Sequence, residues 1–153
     1  MSILRKIIAV ITIAALLACG AAVAEDEFPM PAEAAAFEGE WMCDRASLTM
    51  YWEEAGFRTL ITWSSSASEE TEWEYYCYYN EEDNTVDSLP FGVRTNNVFN
   101  EDGELVSSEE IYTDGEAVFR FDDEKRLIWE DKKENAGDGM LFLKIYEDGE
   151  IGS

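Results

Sequence analysis

From Gly39 onward, apolar and polar residues alternate with period two, which is the signature of strands half-buried in a sheet. Trp41 and Cys43 share one face of the first run. Leu48, Met50 and Trp52 then alternate with Ser47, Thr49 and Tyr51. After a turn at residues 53–56, Phe57, Thr59, Ile61 and Trp63 share a face opposite Arg58 and Thr62. A Ser-rich bend at residues 64–68 leads to Trp73, Tyr75, Cys77 and Tyr79, set against Glu74, Tyr76 and Tyr78. Residues 80–84 read as a turn, and residues 85–95 as a strand. Pro90 makes part of that strand an edge or a bulge, because proline cannot donate to a ladder.

Three later stretches repeat one chemistry: Glu101-Asp102-Gly103, Thr113-Asp114-Gly115 and Glu147-Asp148-Gly149. Asp-Gly between apolar alternations predicts hairpins, because type I′ turns need positive φ. Between these turns, residues 105–112 and 116–121 read as strands, with Phe119 and Phe121 on one face. Residues 122–125 turn into a strand carrying Trp129. Residues 131–138 form a charged loop with helical leanings, and residues 140–146 close the chain. The pattern predicts an all-β domain: an antiparallel up-and-down meander of eight or nine strands. Closure into a barrel is expected ahead of a two-sheet sandwich, since open edges invite aggregation.

The first 24 residues break this pattern. Arg5 and Lys6 precede an apolar run of about a dozen residues, short of the roughly 20 that a spanning helix needs. Ala22-Val23-Ala24 then forms an A-x-A cleavage site. This order predicts a secretory signal peptide over residues 1–24 and an extracytoplasmic or secreted protein. Leu16-Leu17-Ala18-Cys19 also resembles a bacterial lipobox. Two routes are therefore open: plain secretion after Ala24, or lipidation at Cys19 with the domain held at a membrane. Residues 25–36, rich in Pro, Ala and Glu, read as a linker with a helical stretch near residues 32–37. The domain is expected over residues 37–147, with a short tail at 148–153.

Charge narrows the partners. The chain carries 34 acidic and 11 basic residues, a net of −23. Cleavage after Ala24 removes Arg5 and Lys6 and no acid, so 34 acids then face nine bases, a net of −25. Such a field repels nucleic acid and anionic surfaces and favours solubility. Aromatic residues make up 13% of the chain, enough to build a core rather than a disordered acidic tail.

Candidate chemistry is sparse. The chain has no histidine, which removes Ser-His-Asp and Cys-His catalysis and the commonest metal ligand. No Gly-rich phosphate loop or G-x-S-x-G elbow appears, and neither an enzyme nor a cofactor is expected. An EF-hand fitted through Asn100, Asp102, Gly103 and Glu109 places Val98 at its first ligand, so no metal site is assigned. Glu81, Glu82, Asp83 and Asp87 could gather one cation at a hairpin. In an oxidising compartment, Cys43 and Cys77 predict a disulfide worth about 3.5–4 kcal/mol.

The aromatic set carries the functional expectation. Trp41, Trp52, Trp63, Trp73, Tyr75 and Trp129 fall on inferred inward faces and are the candidate ligand-binding residues. They read either as packed core or as the lining of an open barrel mouth suited to an apolar or aromatic ligand. Tyr51, Tyr76 and Tyr78 fall on the outer face, where a Tyr pair could stack on a sugar ring or a partner.

Gly39-Glu40-Trp41, opening the first strand just after the linker, is similar to the G-x-W that opens lipocalins and other calycin-type barrels. The meander, the short hairpins and the last strand extend this resemblance from Phe37 to Tyr146. It implies a non-catalytic binding protein holding a small apolar ligand. The alternative is a structural or protein- or glycan-interaction module of the cell envelope with a filled interior. Many large inward aromatics in short strands favour filling.

Overall fold

A computed structural model describes residues 28–146 and 151–152. The expected signal peptide, Cys19 and the turn at residues 147–149 lie outside the described residues. The fold is all-β. Ten antiparallel strands share one sheet, preceded by a single 3₁₀ turn at Ala34–Ala36. They are β1 (Gly39–Cys43), β2 (Ala46–Glu53), β3 (Gly56–Ser64), β4 (Glu69–Asn80), β5 (Thr85–Ser88), β6 (Gly92–Phe99), β7 (Leu105–Gly115), β8 (Ala117–Phe121), β9 (Leu127–Asp131) and β10 (Leu143–Ile145).

The main path runs β10-β1-β2-β3-β4-β5-β8-β9 and curls into a half-barrel. Its two ends meet at one antiparallel bridge between Leu127 and Phe142, where each backbone N–H donates to the other's carbonyl at 2.9 Å. This seam is the thinnest part of the wall. One end of the barrel is plugged. The 3₁₀ turn drives Ala34 and Phe37 to full burial, and the Phe37 ring stacks on Phe121 at 4.4 Å. The packed domain therefore starts within the stretch read as linker.

The meander branches at β4, which is twelve residues long. Its last four residues pair with β5, while residues 69–74 pair with β6. Pro90 sits in the break between β5 and β6, so the run read as one strand is two, serving different halves of β4. β6 and β7 form a ribbon that leaves the barrel, and among the described residues β7 pairs only with β6. Three irregularities in the β6–β7 register, together with Glu109 and Glu110, keep this edge from being a flat template. The Thr113-Asp114-Gly115 stretch is not the hairpin expected from its sequence. Gly115 lies inside β7 opposite Gly92, and only Glu116 separates β7 from β8, which pairs with β5 instead. By contrast, Gly103 does take the positive φ (+78°) of its expected turn, with the Asn100 side chain accepting backbone N–H bonds from Asp102 and Glu104.

The core follows the period-two reading closely. Leu48, Met50, Phe57, Ile61, Trp73, Tyr75, Phe119 and Trp129 are all buried in one cluster. Trp63 departs from it. At 37% exposed it stands on the lip of the open end, where its strand neighbour Thr71 is near the start of β4.

The expected disulfide is not formed, and Cys43 and Cys77 are free thiols. Register explains why. Cys43 pairs with Ala46, Ala46 with Trp63 and Trp63 with Thr71, which puts Cys43 level with Thr71 three strands away. Cys77 lies six residues further along β4, about 20 Å at strand rise. A disulfide needs Cα atoms within about 7 Å. Instead the buried Cys77 thiol faces the Thr59 hydroxyl at 3.6 Å.

Candidate functional site

The open end of the barrel, opposite the Phe37 plug, is shaped by the branch in β4. Trp73 on β4 pairs with Arg94 on β6, and Arg94 pairs with Tyr112 on β7, so the root of the ribbon sits over the mouth. The Arg94 guanidinium lies 5.6 Å from the Trp73 ring centre. Its Nη1 donates to both carboxylate oxygens of Glu134 at 2.7 Å. Glu134 comes from the loop after β9. The buried Asp131 carboxylate pins that loop by accepting backbone N–H bonds from Lys133, Glu134 and Ala136. Lys133 lies 5.1 Å from the Tyr112 ring centre and pairs with Asp114 at 2.6 Å. A cleft of about 400 Å³ opens here, lined by Trp63, Thr71, Trp73, Arg94, Glu134 and Ala136 among others.

Beneath the cleft, Trp73 and Trp129 meet edge to face at 5.0 Å, and Tyr75 meets Phe119 at 6.0 Å. Two glycines make this possible. A Cβ at Gly92 would fall 2.4 Å from the Tyr75 ring, and one at Gly137 would fall 2.1 Å from the Trp129 carbonyl. Both positions admit only hydrogen, so backbone presses directly onto the aromatic cluster.

The hydrogen-bond accounting of this cluster is unusual. Among the described residues, five buried side-chain polar atoms have no hydrogen-bond partner: Trp73 Nε1, Tyr75 Oη, Arg94 Nε, Tyr112 Oη and Trp129 Nε1. All five belong to the group under the ribbon root. The Tyr75 hydroxyl lies beside the Trp129 indole and the Tyr112 hydroxyl beside the Trp73 indole, in each case short of a formed bond. Leaving such a group unsatisfied costs about 1–3 kcal/mol, so five in one place call for a reason. Three of the five atoms can only donate. The set is therefore complementary to an acceptor.

The electrostatics point the same way. Burial, reinforced by the charge of Asp131, pushes the Tyr75 phenol far above its ordinary value. Burial followed by the charges of Asp131 and Glu134 pushes Tyr112 up to about 12. Both remain neutral hydroxyls at neutral pH.

Of the candidate residues, Trp63, Trp73, Tyr75 and Trp129 come together at the mouth. Trp41 and Trp52 do not. They lie towards the plugged end, where Trp41 Nε1 donates to the Phe37 carbonyl and Trp52 Nε1 to the Phe28 carbonyl, each at 3.1 Å. Arg94, Tyr112 and Glu134 belong to the mouth but escape the sequence pattern. The β6–β7 register shifts on either side of Arg94, which breaks the strict alternation needed to assign its face and that of Tyr112. The remaining signal was Gly92 with Gly115, a facing glycine pair that marks close backbone approach.

Elsewhere, Tyr51, Tyr76 and Tyr78 are exposed on the outer face. At the hairpin after β4, Asp83 and Asp87 accept from Asn80 Nδ2, and Asp87 also accepts from Thr85. Among the described residues, no group of three or more acids, cysteines or histidines is placed to hold a metal. No family model, curated protein or solved structure matches the chain.

Proposed function

We propose that this chain is an extracytoplasmic binding protein that holds a small ligand at the barrel mouth rather than deep inside it. The export part of the proposal rests on residues 1–24. The binding part rests on one observation: every unpartnered buried polar side-chain atom among the described residues converges on Trp73 and its neighbours, beside an aromatic-lined cleft. Indole faces supply the apolar contact, and the N–H and hydroxyl groups supply orientation. The ligand class is a ring-bearing, largely apolar molecule with one or more hydrogen-bond-accepting oxygens. Neutral phenols and indoles bind such a group without moving its protons, which supports a non-catalytic role. The lipocalin-like reading fits the meander and the Gly39-Glu40-Trp41 opening. The filled interior at Phe57, Ile61 and Phe119 makes the ligand site shallower than a lipocalin calyx.

The test is native mass spectrometry of protein isolated from its native host without organic solvent. A bound molecule that leaves on denaturation, and that Trp73→Phe protein carries at much lower occupancy, supports the reading. A clean unliganded mass would sink it and favour the filled-core interaction module instead.

A further inference from the structure

The seam of the barrel holds a second cleft, of about 390 Å³, lined by Trp41, Phe121, Lys125, Arg126, Lys144 and Tyr146 among others. It lies near the Phe37 plug, far from the Trp73 cluster. We infer that this seam cleft binds a small anionic amphiphile, a carboxylate with a short apolar body, through Lys125, Lys144 and the aromatic floor.

Charge distribution is the first support. In a chain of net −23, three of the 11 basic residues line this one cleft against a single acid, Glu124, which is paired with Arg126. The second support is how those cations are used. Six basic residues, Arg58, Arg94, Arg120, Arg126, Lys132 and Lys133, pair with carboxylates within 2.8 Å. Arg126 is among them, held by Asp122 and Glu124. Among the described residues, three basic side chains make no ion pair despite the abundance of acids: the exposed Arg45, elsewhere on the β1–β2 turn, and both lysines of this cleft, Lys125 and Lys144. Lys144 instead lies 5.2 Å from the Trp41 ring centre and makes one long contact, 3.4 Å, to the Ala36 carbonyl.

The floor is the third support. Trp41 and Phe121 meet at 5.7 Å beneath the cleft, and Trp41 Nε1 is already committed to Phe37. The floor therefore offers apolar faces without a competing donor. Lys125 stands on the β8–β9 turn at a positive φ of 61°, which projects its side chain from a fixed corner. An ammonium pair above an aromatic floor matches a carboxylate head joined to an alkyl or aryl body. The volume limits that body to a small one.

The experiment is displacement of 1-anilinonaphthalene-8-sulfonate fluorescence by decanoate, with decanol as the uncharged control. It uses the full chain expressed with its N-terminal segment and isolated as processed. The variants are Lys144→Met, which keeps the stem over Trp41, and Lys125→Asn, which suits a positive φ. Trp73→Phe monitors the mouth. The expected result is decanoate displacement at least tenfold tighter than decanol, weakened at least tenfold in the double Lys variant and unchanged in Trp73→Phe. The single Lys125→Asn change lies on an exposed turn and reports separately should Lys144→Met unfold. Equal affinity for decanoate and decanol overturns the inference. So does unchanged decanoate binding in either Lys variant that folds. Loss in Trp73→Phe alone would place the amphiphile at the mouth, overturning the seam site while leaving the mouth reading standing.

Discussion

The plugged end and the mouth of this barrel are built from the same residue types and treat them in opposite ways. At the plugged end, the indoles of Trp41 and Trp52 each donate to a backbone carbonyl at 3.1 Å. At the mouth, the indoles of Trp73 and Trp129 are buried as deeply as Trp41 and more deeply than Trp52, and among the described residues they have no hydrogen-bond partner. Both ends pack aromatic on aromatic. The difference is that the plugged end is closed by the chain's own backbone, through the 3₁₀ turn and the segment leading to it. The mouth is roofed by a ribbon and a pinned loop, whose acceptors either serve Arg94, as Glu134 does, or lie beside an indole without forming a bond, as the Tyr112 hydroxyl does. A structural end satisfies itself. An end left with three pure donors is stable only against the rest of the fold, and that is the usual condition of a binding surface.

The largest effect should come from opening the plug. Phe37 is fully buried, stacks on Phe121 and carries the carbonyl that Trp41 uses. Phe37→Ala is expected to cost about 3–5 kcal/mol, read as a fall in the urea midpoint. A cost below about 1 kcal/mol would mean that the plug is ornamental and that the two ends do not differ as argued.

Next comes the mouth's own packing. Gly92→Ala puts a methyl where the Tyr75 ring already lies, and backbone on the other side leaves the strand little room to shift. The expected loss is about 1–3 kcal/mol, with altered near-ultraviolet circular dichroism from the displaced aromatics. An unchanged aromatic spectrum would show that the cluster is looser than its contacts imply.

Alkaline titration sharpens the comparison by taking one acid from each region. Burial raises the Cys77 thiol from 9.0 to about 12 and pushes the Tyr75 phenol well above 10.0. Cys77 lies opposite Phe57 towards the plugged end, and Tyr75 lies at the mouth. Above about pH 9 the unfolded chain loses the thiol proton that the folded protein keeps, so stability falls as pH rises, by up to about 1.4 kcal/mol per pH unit for each such group. Below pH 9 these groups contribute their full stabilisation. Urea midpoints at pH 8, 9, 10 and 11 check the trend. A Cys77→Ala variant should flatten its onset near pH 9, leaving the phenol's contribution to begin about one unit higher. A flat profile through pH 11 would contradict the burial of both groups.

Much of this architecture was legible because its cause is local. Alternation placed Leu48, Met50, Phe57, Ile61, Trp73, Tyr75 and Trp129 inside, since a strand has only two faces and one is covered. Non-local pairing was not legible. Nothing in residues 85–95 announces that β5 and β6 serve different halves of β4, because each half alone reads as an ordinary alternating strand. Asp114-Gly115 carries the right turn chemistry and is overridden by the pairing of Gly115 with Gly92. The Cys43–Cys77 bridge failed for the same reason: compartment argues for it, and register, invisible in one sequence, forbids it. Of the mouth, the aromatic members could be read and the polar ones could not. Arg94 and Glu134 are 40 residues apart and meet only through the branch and the pinned loop.

The smallest and most direct test compares one substitution at both ends. Trp41→Phe and Trp73→Phe remove the same atoms from similarly buried sites, so their transfer and cavity terms nearly cancel. What differs is the donor. At position 41 the change deletes a formed N–H···O bond and deprives the Phe37 carbonyl of that donor, a net loss of about 1 kcal/mol. At position 73 it deletes a buried donor that had no acceptor, which recovers some of the desolvation cost. Trp41→Phe should therefore be less stable than Trp73→Phe by about 1–2 kcal/mol when both are measured by urea unfolding of ligand-free protein. If Trp73 holds its N–H in reserve for a ligand, adding that ligand should stabilise Trp41→Phe as much as the parent chain and stabilise Trp73→Phe far less. Equal costs for the two variants would show that the Trp73 indole finds an acceptor after all, and the contrast between the two ends would collapse to a matter of shape.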